Sequence, residues 1–331
     1  MKRSKKITVL GYGKIGYALY YFLNSRFKVI LTDDSRKAKG SSLVLGALPG
    51  SVGRSSLELA LRCNKDLIDI SDTDPQFYIK YKRDIYGSNI TVIAGCGFSP
   101  GLVNFILGWE FSQKKHISTV EIIAGSLSPK KGYFPFLWCF EDFVSCHNLK
   151  SRQLVEGKEI EFDPFSGLRK ERFFGIEAET YFFPSGFEYL MRREGLRDFT
   201  YRVARPVGFS DFFKKLKENS FFSKDNISLT KKIFDSNRED NITFAIIRLC
   251  SDHRNRRTSW LLKSFSKKKE KLNSMQKITS ILPVVLTEML LEGKFLKKGL
   301  FFPDDISREE IIFRYVMDKI KNYKVEIRRY G

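Results

Sequence analysis

The sequence predicts an α/β protein that has a doubly wound parallel sheet and a second, mixed α+β domain. Two observations predict the sheet. Short β-branched runs alternate with helical patterns in the N-terminal third, and a glycine-rich turn follows the first run. A third observation predicts the second domain, because strand-like and helical segments no longer alternate after Pro100-Gly101. The 331 residues are enough for two hydrophobic cores.

Five strands are predicted before Pro100, and the first of them leads through the glycine-rich turn into a helix. The strands are predicted at residues 7–10, 28–32, 43–48, 67–71 and 90–94, with helices at 52–63 and 75–86. Only eight residues, 34–41, lie between Asp33, at the end of the second strand, and Ser42, which directly precedes the third. A helical crossover between parallel strands needs about a dozen or more. We therefore expect a sheet trimmed after its second strand, with no helix in that link and the third strand beside the first.

The rest of the chain reads as a mixed-sheet domain followed by helices. Strands are predicted at 120–124, 199–203, 242–249 and 259–265, and helices at about 136–147, at 210–218, at 272–291 (amphipathic) and at 308–321. The predicted domains are 1–103, 104–271 and 272–331.

The composition excludes several classes of protein. Hydrophobic residues make up 42% of the chain and charged residues 29%, which excludes a disordered chain and a collagen. No apolar run approaches the roughly 18 residues of a membrane span, and the basic start leads into glycines rather than a cleavage site. We expect a cytoplasmic protein with no membrane partner.

Cysteine content and charge are less decisive. Five cysteines without a CxxC pair or a Cys/His cluster predict reduced thiols, and neither a disulfide framework nor a metal site. The formal net charge of +20 fits high solubility, attraction of an anionic substrate or cofactor, or nucleic-acid binding. Charge alone does not choose among these three.

The turn after the first strand carries a dinucleotide-binding fingerprint, GxGxxG between a strand and a helix. Gly11 permits the tight turn, Gly13 lets the backbone approach a pyrophosphate, and Gly16 lets helix and strand pack closely. The amides of the helix start, at Lys14 and Ile15, would then point at the anion. The alternative is an ordinary glycine turn.

An acidic residue ends the second strand, as the fingerprint requires. Asp33 lies 17 residues after Gly16 and would bind the adenosine ribose. Its carboxylate would repel a 2′-phosphate, which favours NAD over NADP, although Arg36 and Lys37 just beyond soften that preference. The trimmed sheet edge predicts an open adenine pocket and weak NAD binding. The alternative is that Asp33 is a plain surface acid.

Further motifs follow in a fixed order over nearly the whole chain. They are Gly46-Ala47-Leu48-Pro49-Gly50-Ser51-Val52-Gly53, Leu67-Ile68-Asp69-Ile70-Ser71, Gly95-Cys96-Gly97-Phe98-Ser99-Pro100-Gly101-Leu102-Val103-Asn104, Trp138 with Glu141-Asp142, Arg205 with Gly208-Phe209, and Glu288-Met289-Leu290-Leu291-Glu292-Gly293. With these motifs the chain resembles the saccharopine dehydrogenase family, which includes saccharopine reductases and lysine 6-dehydrogenases, as a divergent member. The family usually has an acidic residue where Gly95 stands, and Asp and Tyr where Ser145 and His147 stand.

The resemblance implies a Rossmann domain completed by the C-terminal helices, with an inserted mixed-sheet domain that closes the cleft and forms a homodimer. It also implies an NAD(P)-linked oxidation or reduction at a carbon bearing an amine, with lysine or a saccharopine-like adduct as substrate. Two turns would contact the cofactor, one at the nicotinamide ribose and one at the nicotinamide; otherwise they are plain turns. Their residues are Ala47, Leu48 and Pro49 in the first turn, and Phe98, Pro100 and Gly101 in the second.

Candidate substrate residues lie in the second domain. Arg205 is the candidate for the substrate carboxylate because a guanidinium binds carboxylate in a bidentate way; the alternative is an ion pair with a neighbouring acid. On one predicted helix, Trp138 stands three and four residues before Glu141 and Asp142. This trio would bind the substrate ammonium, with Asp142 as a proton acceptor, unless the two acids form a solvated pair.

One histidine is a second catalytic candidate. His147 lies near the predicted substrate residues, and an imidazole has a pKa suited to proton transfer. His116 and His253 have no such context and are expected at the surface.

Three functions follow from the sequence. The first is an NAD(P)-dependent amino-acid or amine dehydrogenase. The second is a Rossmann-fold cofactor-binding or scaffold protein that has lost catalysis. The third, the least favoured, is a nucleic-acid-binding protein that would use Arg254, Arg256, Arg257 and Lys267–Lys269.

Overall fold

The computed structural model describes residues 5–113, 116–135, 138–184, 186–251 and 256–331. These residues form two compact units. The first comprises Met1–Lys115 and Gln276–Tyr323, and the second His116–Met275 and Lys324–Gly331. His253 and Arg254 lie outside the described residues.

The strands of the described chain are, in order, β1 (Lys6–Leu10), β2 (Lys28–Thr32), β3 (Leu43–Gly46), β4 (Asp66–Asp69), β5 (Thr91–Ile93), β6 (Ile117–Leu127), β7 (Ser151–Val155), β8 (Lys158–Phe162), β9 (Arg169–Phe173), β10 (Ile176–Phe182), β11 (Asp198–Pro206), β12 (Asn241–Ser251), β13 (Arg256–Ser266), β14 (Gly299–Phe301) and β15 (Glu326–Tyr330).

The helices of the described chain are, in order, α1 (Lys14–Leu23), α2 (Arg54–Cys63), α3 (Pro75–Lys80), α4 (Lys82–Gly87), α5 (Val103–Gln113), α6 (Phe140–Cys146), α7 (Glu188–Met191), α8 (Phe209–Glu218), α9 (Ile227–Ser236), α10 (Ser274–Leu291), α11 (Pro303–Ile306) and α12 (Glu310–Ile320). None of them is long and apolar enough to cross a membrane.

The first unit contains the predicted parallel sheet. Its six described strands lie in the order β2-β1-β3-β4-β5-β14, and all pairs are parallel. β3 pairs with β1, so that Ile7 lies beside Leu43. No described strand lies beyond β2, and the predicted trimmed edge is confirmed. The link from β2 to β3 does hold one short 3₁₀ helix, Ser35–Ala38, which the prediction had excluded.

Apolar strands fit this sheet because helices cover its faces. Val44, Leu67 and Val92, from three neighbouring strands, are fully buried in one cluster with helix residues such as Leu57 and Ile85. Near-continuous apolar runs are typical of parallel sheets that are covered on both sides. This core fixes the strand ends at which the glycine-rich turn lies.

The C-terminal helices belong to the first unit, but α10 differs from the prediction. It was expected to be amphipathic, yet nearly every residue from Gln276 to Met289 is buried. Its sequence carries few charges, and a helix that is apolar almost all round lies inside a core. Helix α5, likewise buried, also belongs to the first unit, beyond the predicted boundary at residue 103.

The second unit contains the predicted mixed sheet. Seven strands lie in the order β15-β13-β12-β6-β11-β10-β9, while β7 pairs with β11 and β8 pairs with β7. β6 and β11 are parallel, and the other pairs are antiparallel. The last strand, β15, pairs with β13, so residues 324–331 join this sheet rather than the first unit.

Candidate functional site

The glycine-rich turn has the close backbone approaches that its sequence implies. Gly11 has φ +120°, its amide donates to the Thr32 carbonyl at 3.0 Å, and a Cβ there would lie 2.3 Å from the carbonyl oxygen of Ala47. A Cβ on Gly16 would lie 1.8 Å from the Gly11 carbonyl oxygen. These two positions therefore accept only glycine, and they hold the start of α1 against the end of β1.

Gly13 differs from both of these glycines. It precedes Lys14, the first residue of α1, and no atom beyond its chain neighbours lies within 4 Å of where its Cβ would be. The first turn of α1, which includes Lys14 and Ile15, contains no acidic residue. Helix-start amides attract an anion, so the open side of Gly13 fits a pyrophosphate whose approach a side chain would block.

Asp33 lies beside this turn. Its side chain is exposed, and one carboxylate oxygen accepts the amide of Tyr12 at 2.7 Å. The neighbouring Asp34 binds the Arg36 guanidinium through both carboxylate oxygens, at 2.9 and 3.1 Å. These hydrogen bonds lower the pKa of Asp34. Arg36 is therefore held by Asp34, and Asp33 can offer an oxygen to a ribose.

The turn after β3 brings the predicted ribose-contacting residues to the same edge of the sheet. The Ala47 amide donates to the Leu10 carbonyl at 2.8 Å, which ties this turn to the end of β1. Leu48 packs against the core cluster of the first unit, and Pro49 is exposed. Of the three, only Pro49 offers an exposed side chain.

A buried carboxylate lies beside the start of this turn, and sequence reasoning assigned it no role. Asp69, at the end of β4, accepts the amide and hydroxyl of Ser71 at 2.9 and 2.6 Å and the Tyr78 hydroxyl at 2.8 Å. Burial raises the pKa of Asp69, while these hydrogen bonds oppose that rise. A Cβ on Gly46 would lie 2.6 Å from the same carboxylate. An acid directly after two apolar strand residues, Leu67 and Ile68, was the signal available in the sequence.

The second predicted cofactor turn follows β5. Gly101 has φ +130°, and its amide donates to the Asn104 side-chain oxygen at 2.8 Å. Phe98 is buried and Pro100 half-buried. All the predicted cofactor residues therefore follow the carboxyl ends of parallel strands, the edge at which such sheets bind ligands.

The predicted substrate residues lie in the second unit, where Arg205 is buried on β11. Its exposed fraction is 2%, and its Nε has no hydrogen-bond partner within the described residues. Glu179 stands directly opposite on β10, but its oxygens accept the amides of Gly208 and Ser210. No ion pair of the described residues joins Arg205 to this cross-strand acid, so the ion pair that we considered is not formed with Glu179.

Aromatic rings surround the Arg205 guanidinium. It lies over Trp138, Phe143 and Phe209, at 5.3, 5.1 and 5.7 Å from the ring centroids. Burial lowers the pKa of Arg205, and the neighbouring Tyr181 phenol opposes that effect. Rings stabilise a buried cation without neutralising it, so its charge remains available to an anion.

The Trp138 trio does not share one helix, and that prediction was wrong. Helix α6 begins at Phe140, so Trp138 precedes it and packs edge-on against Phe143 instead. Glu141 is exposed and pairs with Lys231 at 2.8 Å, a contact that helps to lower the pKa of Glu141. Asp142 is half-buried in the first turn of α6. Glu141 is therefore a solvent-exposed, ion-paired acid, as in the alternative considered above. Trp138, in contrast, lies next to Arg205.

His147 lies in a fully packed environment. Its Nδ1 lies 2.7 Å from the Phe143 carbonyl oxygen and its Nε2 3.0 Å from the Tyr181 hydroxyl. Burial and the charge of Arg205 keep its pKa well below the usual range. With both ring nitrogens engaged, His147 is poorly suited to the proton transfer that we predicted for it.

The comparisons with known proteins bear on the fold. No protein-family model and no curated protein matches the sequence. A solved structure does match: apo histidine-tagged saccharopine dehydrogenase (L-Glu forming) from Saccharomyces cerevisiae. The TM-score is 0.74, over 99% of this chain and 100% of that chain, with 13% identity. The chain has the saccharopine dehydrogenase fold.

The predicted resemblance is thereby confirmed at the level of the fold, and 13% identity fits a divergent chain. Two further structures match at lower scores. C. glutamicum DAP dehydrogenase in complex with DAP has a TM-score of 0.46 at 10% identity, over 97% of this chain and 99% of that chain. Aspartate dehydrogenase from Thermotoga maritima has a TM-score of 0.39 at 12% identity, over 87% and 96%.

Proposed function

We propose that this protein is an NAD(P)-dependent oxidoreductase acting on the amine of an amino acid. The geometry of the glycine-rich turn carries the proposal, since Gly11 and Gly16 are sterically required while Gly13 leaves the helix start open. Asp33 beside that turn would bind the ribose, and its exposed carboxylate favours NAD over NADP. Lysine and saccharopine-like adducts are the substrates that the sequence resemblance implies.

Each unit supplies a separate part of the chemistry. When bound, the nicotinamide would accept or donate the hydride. The open side of Gly13 and the amides of Lys14 and Ile15 would hold the pyrophosphate, and the turns of Ala47–Pro49 and Phe98–Gly101 would lie towards the nicotinamide end. Arg205 would bind the substrate carboxylate and so orient the amine.

The substrate amine must be neutral before a hydride can leave its carbon. Asp142, half-buried in the first turn of α6, is the carboxylate that we propose as proton acceptor. The exposed Glu141 pairs with Lys231 and has no part in this step. Trp138, which lies against the Arg205 guanidinium, would border the bound carboxylate. The homodimer and the cytoplasmic location remain predictions.

The test is amino-acid-dependent reduction of NAD and NADP by the full chain, followed by the absorbance of the reduced nicotinamide. We expect turnover with at least one of lysine, ornithine and saccharopine, and a KM for that amino acid at least about 10-fold higher in Arg205→Met, the loss of one charged hydrogen bond. Glu141→Gln, which alters the solvated pair, should leave KM nearly unchanged. Absence of turnover with every amine would contradict the proposal.

A second candidate function is a cofactor-binding or scaffold protein without catalysis. The observation that favours it is His147, which stands where the family commonly has Tyr and is enclosed with both ring nitrogens engaged. NAD binding by calorimetry without turnover would support this second function. Absence of both binding and turnover would show that the glycine-rich turn binds no dinucleotide.

A further inference from the structure

A chain of hydrogen bonds in the second unit leads from Phe143 through His147 and Tyr181 towards Arg205. We propose that His147 and Tyr181 are positioning residues that hold the Arg205 guanidinium with neutral groups alone, as a receptor for a substrate carboxylate. The inference rests on the proposed role of Arg205 and gives His147 a function other than proton transfer.

The first step fixes the tautomer of His147. The Phe143 carbonyl oxygen, 2.7 Å from Nδ1, can only accept a hydrogen bond, so Nδ1 carries the ring proton. Nε2 is then an acceptor, and the Tyr181 hydroxyl at 3.0 Å must donate to it. The ring is 2% exposed and packs against Phe143, Phe183 and Phe213, so it cannot turn freely.

The second step orients Tyr181. Because its single proton points to His147, its oxygen can offer only lone pairs elsewhere. Arg205 lies close enough to that phenol for its charge to oppose the rise that burial causes in the pKa of Tyr181. Tyr181 pairs with Val203 on β11, two residues before Arg205, so the two side chains are diagonal neighbours on one face of the sheet. The phenol is therefore held as an acceptor towards the guanidinium.

The third step concerns charge. Arginine is almost never fully buried unless it is paired. Here Glu179, the acid opposite Arg205 in the strand pair, accepts the amides of Gly208 and Ser210 at the start of α8, and Tyr181 and the surrounding rings are neutral. The guanidinium keeps its whole positive charge, and its Nε has no partner in the described part of the chain. A carboxylate is the ligand that fits such a cation.

The surroundings of His147 and Tyr181, which together form the relay, keep both side chains neutral. Burial and the charge of Arg205 both lower the pKa of His147, and burial raises the pKa of Tyr181. Neither group changes its charge near neutral pH, so the relay fixes an orientation and transfers no proton.

The kinetic test compares KM and kcat of the full chain. Tyr181→Phe keeps the ring and removes the hydroxyl, and we expect KM for the amino acid to rise about 3- to 10-fold, the effect of one neutral hydrogen bond, with kcat and the Kd for NAD little changed. His147→Phe should have the same effect. His147→Gln, whose side-chain oxygen can accept from Tyr181, should restore much of the affinity.

The matched control is Tyr133→Phe. Tyr133 is a buried tyrosine of the same unit whose hydroxyl donates to the Asn237 carbonyl at 3.0 Å. The Tyr133→Phe variant loses a comparable hydrogen bond that does not involve Arg205, so its KM should equal that of the wild type. An unchanged KM in Tyr181→Phe, or an equal rise in Tyr133→Phe, would overturn the positioning role.

A second readout needs no turnover. The signal of the Arg205 Nε–H group can be followed by nitrogen-15 NMR and assigned by its loss in Arg205→Met. We expect this signal to shift or broaden in Tyr181→Phe and His147→Phe. It should return to its wild-type position in His147→Gln and stay unchanged in Tyr133→Phe. If the wild-type protein turns over no amine, the proposed function fails while this experiment still decides the positioning role. An unperturbed signal in Tyr181→Phe would refute the relay itself.

Discussion

Two residues of opposite charge and opposite environment, Asp33 and Arg205, support the proposed function at the scale of single side chains. Asp33 is exposed at the end of β2 and touches the glycine-rich turn. Arg205 is buried among aromatic rings, and no acid neutralises it within the described chain. An exposed acid can bind a ribose without a large desolvation cost, whereas a buried cation gains much from an anionic partner.

Asp33 gives the first prediction. Asp33→Ala should weaken NAD binding about 10- to 100-fold, because a charged acceptor for the ribose hydroxyls is lost. It should weaken NADP binding less, since the repulsion of the 2′-phosphate is lost as well. Asp34→Ala is the matched control, because that neighbouring carboxylate binds Arg36 and should affect NAD little. Titration calorimetry measures the affinities for NAD and NADP. An equal loss of NAD affinity in Asp33→Ala and Asp34→Ala would contradict the role of Asp33.

His147 gives the second prediction, which concerns stability. Its pKa is lowered in the folded protein, so below pH about 6.5 the unfolded chain binds a proton that the native chain does not. The free energy of unfolding should therefore fall as pH drops below about 6.5, by up to about 1.4 kcal/mol per pH unit from this group. Urea unfolding of wild type and His147→Gln at several pH values isolates the effect. Parallel pH profiles in the two proteins would contradict it.

At the scale of elements, most strands of the first sheet could be predicted from the sequence. The strands of a parallel sheet covered on both sides are apolar runs, and these differ clearly from the helices between them. Only β14 was missed, since three residues, Gly299–Phe301, give no periodic signal. In the second unit five described strands were missed, namely β7, β8, β9, β10 and β15. In β8, β9 and β15 most side chains are charged or exposed, so these strands lack an apolar pattern.

The candidate site was predictable only where a local pattern implies geometry. The glycine-rich turn is such a pattern: Gly11 makes the expected tight turn, and Gly16 packs closely against it as expected. The surroundings of Arg205 depend on strand register and on how rings fill a core, which no short motif encodes. Tyr181, in particular, comes near Arg205 only because β10 pairs with β11 in one register.

The two kinds of glycine in the turn give a third prediction. Gly11→Ala should lower the free energy of unfolding by at least about 1–3 kcal/mol, because φ is +120° and the Cβ would lie 2.3 Å from the Ala47 oxygen. Gly13→Ala should change it by less than about 0.5 kcal/mol, since no neighbouring atom is near. Urea unfolding measures the stability of the two variants. An equal loss of stability in Gly11→Ala and Gly13→Ala would refute the view that Gly11 is sterically required and Gly13 is not.

At the scale of the whole molecule, two units divide the proposed work between a cofactor-binding sheet and a substrate-binding sheet. Within the first, β2 is the last described strand on its side, because only ten residues, 33–42, carry the chain from β2 to β3. The proposed cofactor site is accordingly bordered near Asp33 by one 3₁₀ turn rather than by a further strand and helix.

This trimmed edge predicts weak cofactor binding. Fewer groups enclose the adenosine end, so the Kd for NAD should be micromolar or higher, about −8 kcal/mol or weaker. A Kd well below micromolar would contradict this consequence of the short link, while leaving the dinucleotide site itself intact.

The most direct test of the account is titration calorimetry of NAD into the full chain and two glycine variants. Gly13→Ala places a methyl group where the pyrophosphate should approach, and Gly87→Ala, also with no atom near its Cβ, places one at the end of α4, away from the turn. We predict NAD binding to wild type and Gly87→Ala with equal affinity, and binding at least about 10-fold weaker in a fully folded Gly13→Ala. Equal affinity in all three proteins, or no binding to the folded wild type at millimolar NAD, would contradict the dinucleotide site on which the proposed function depends.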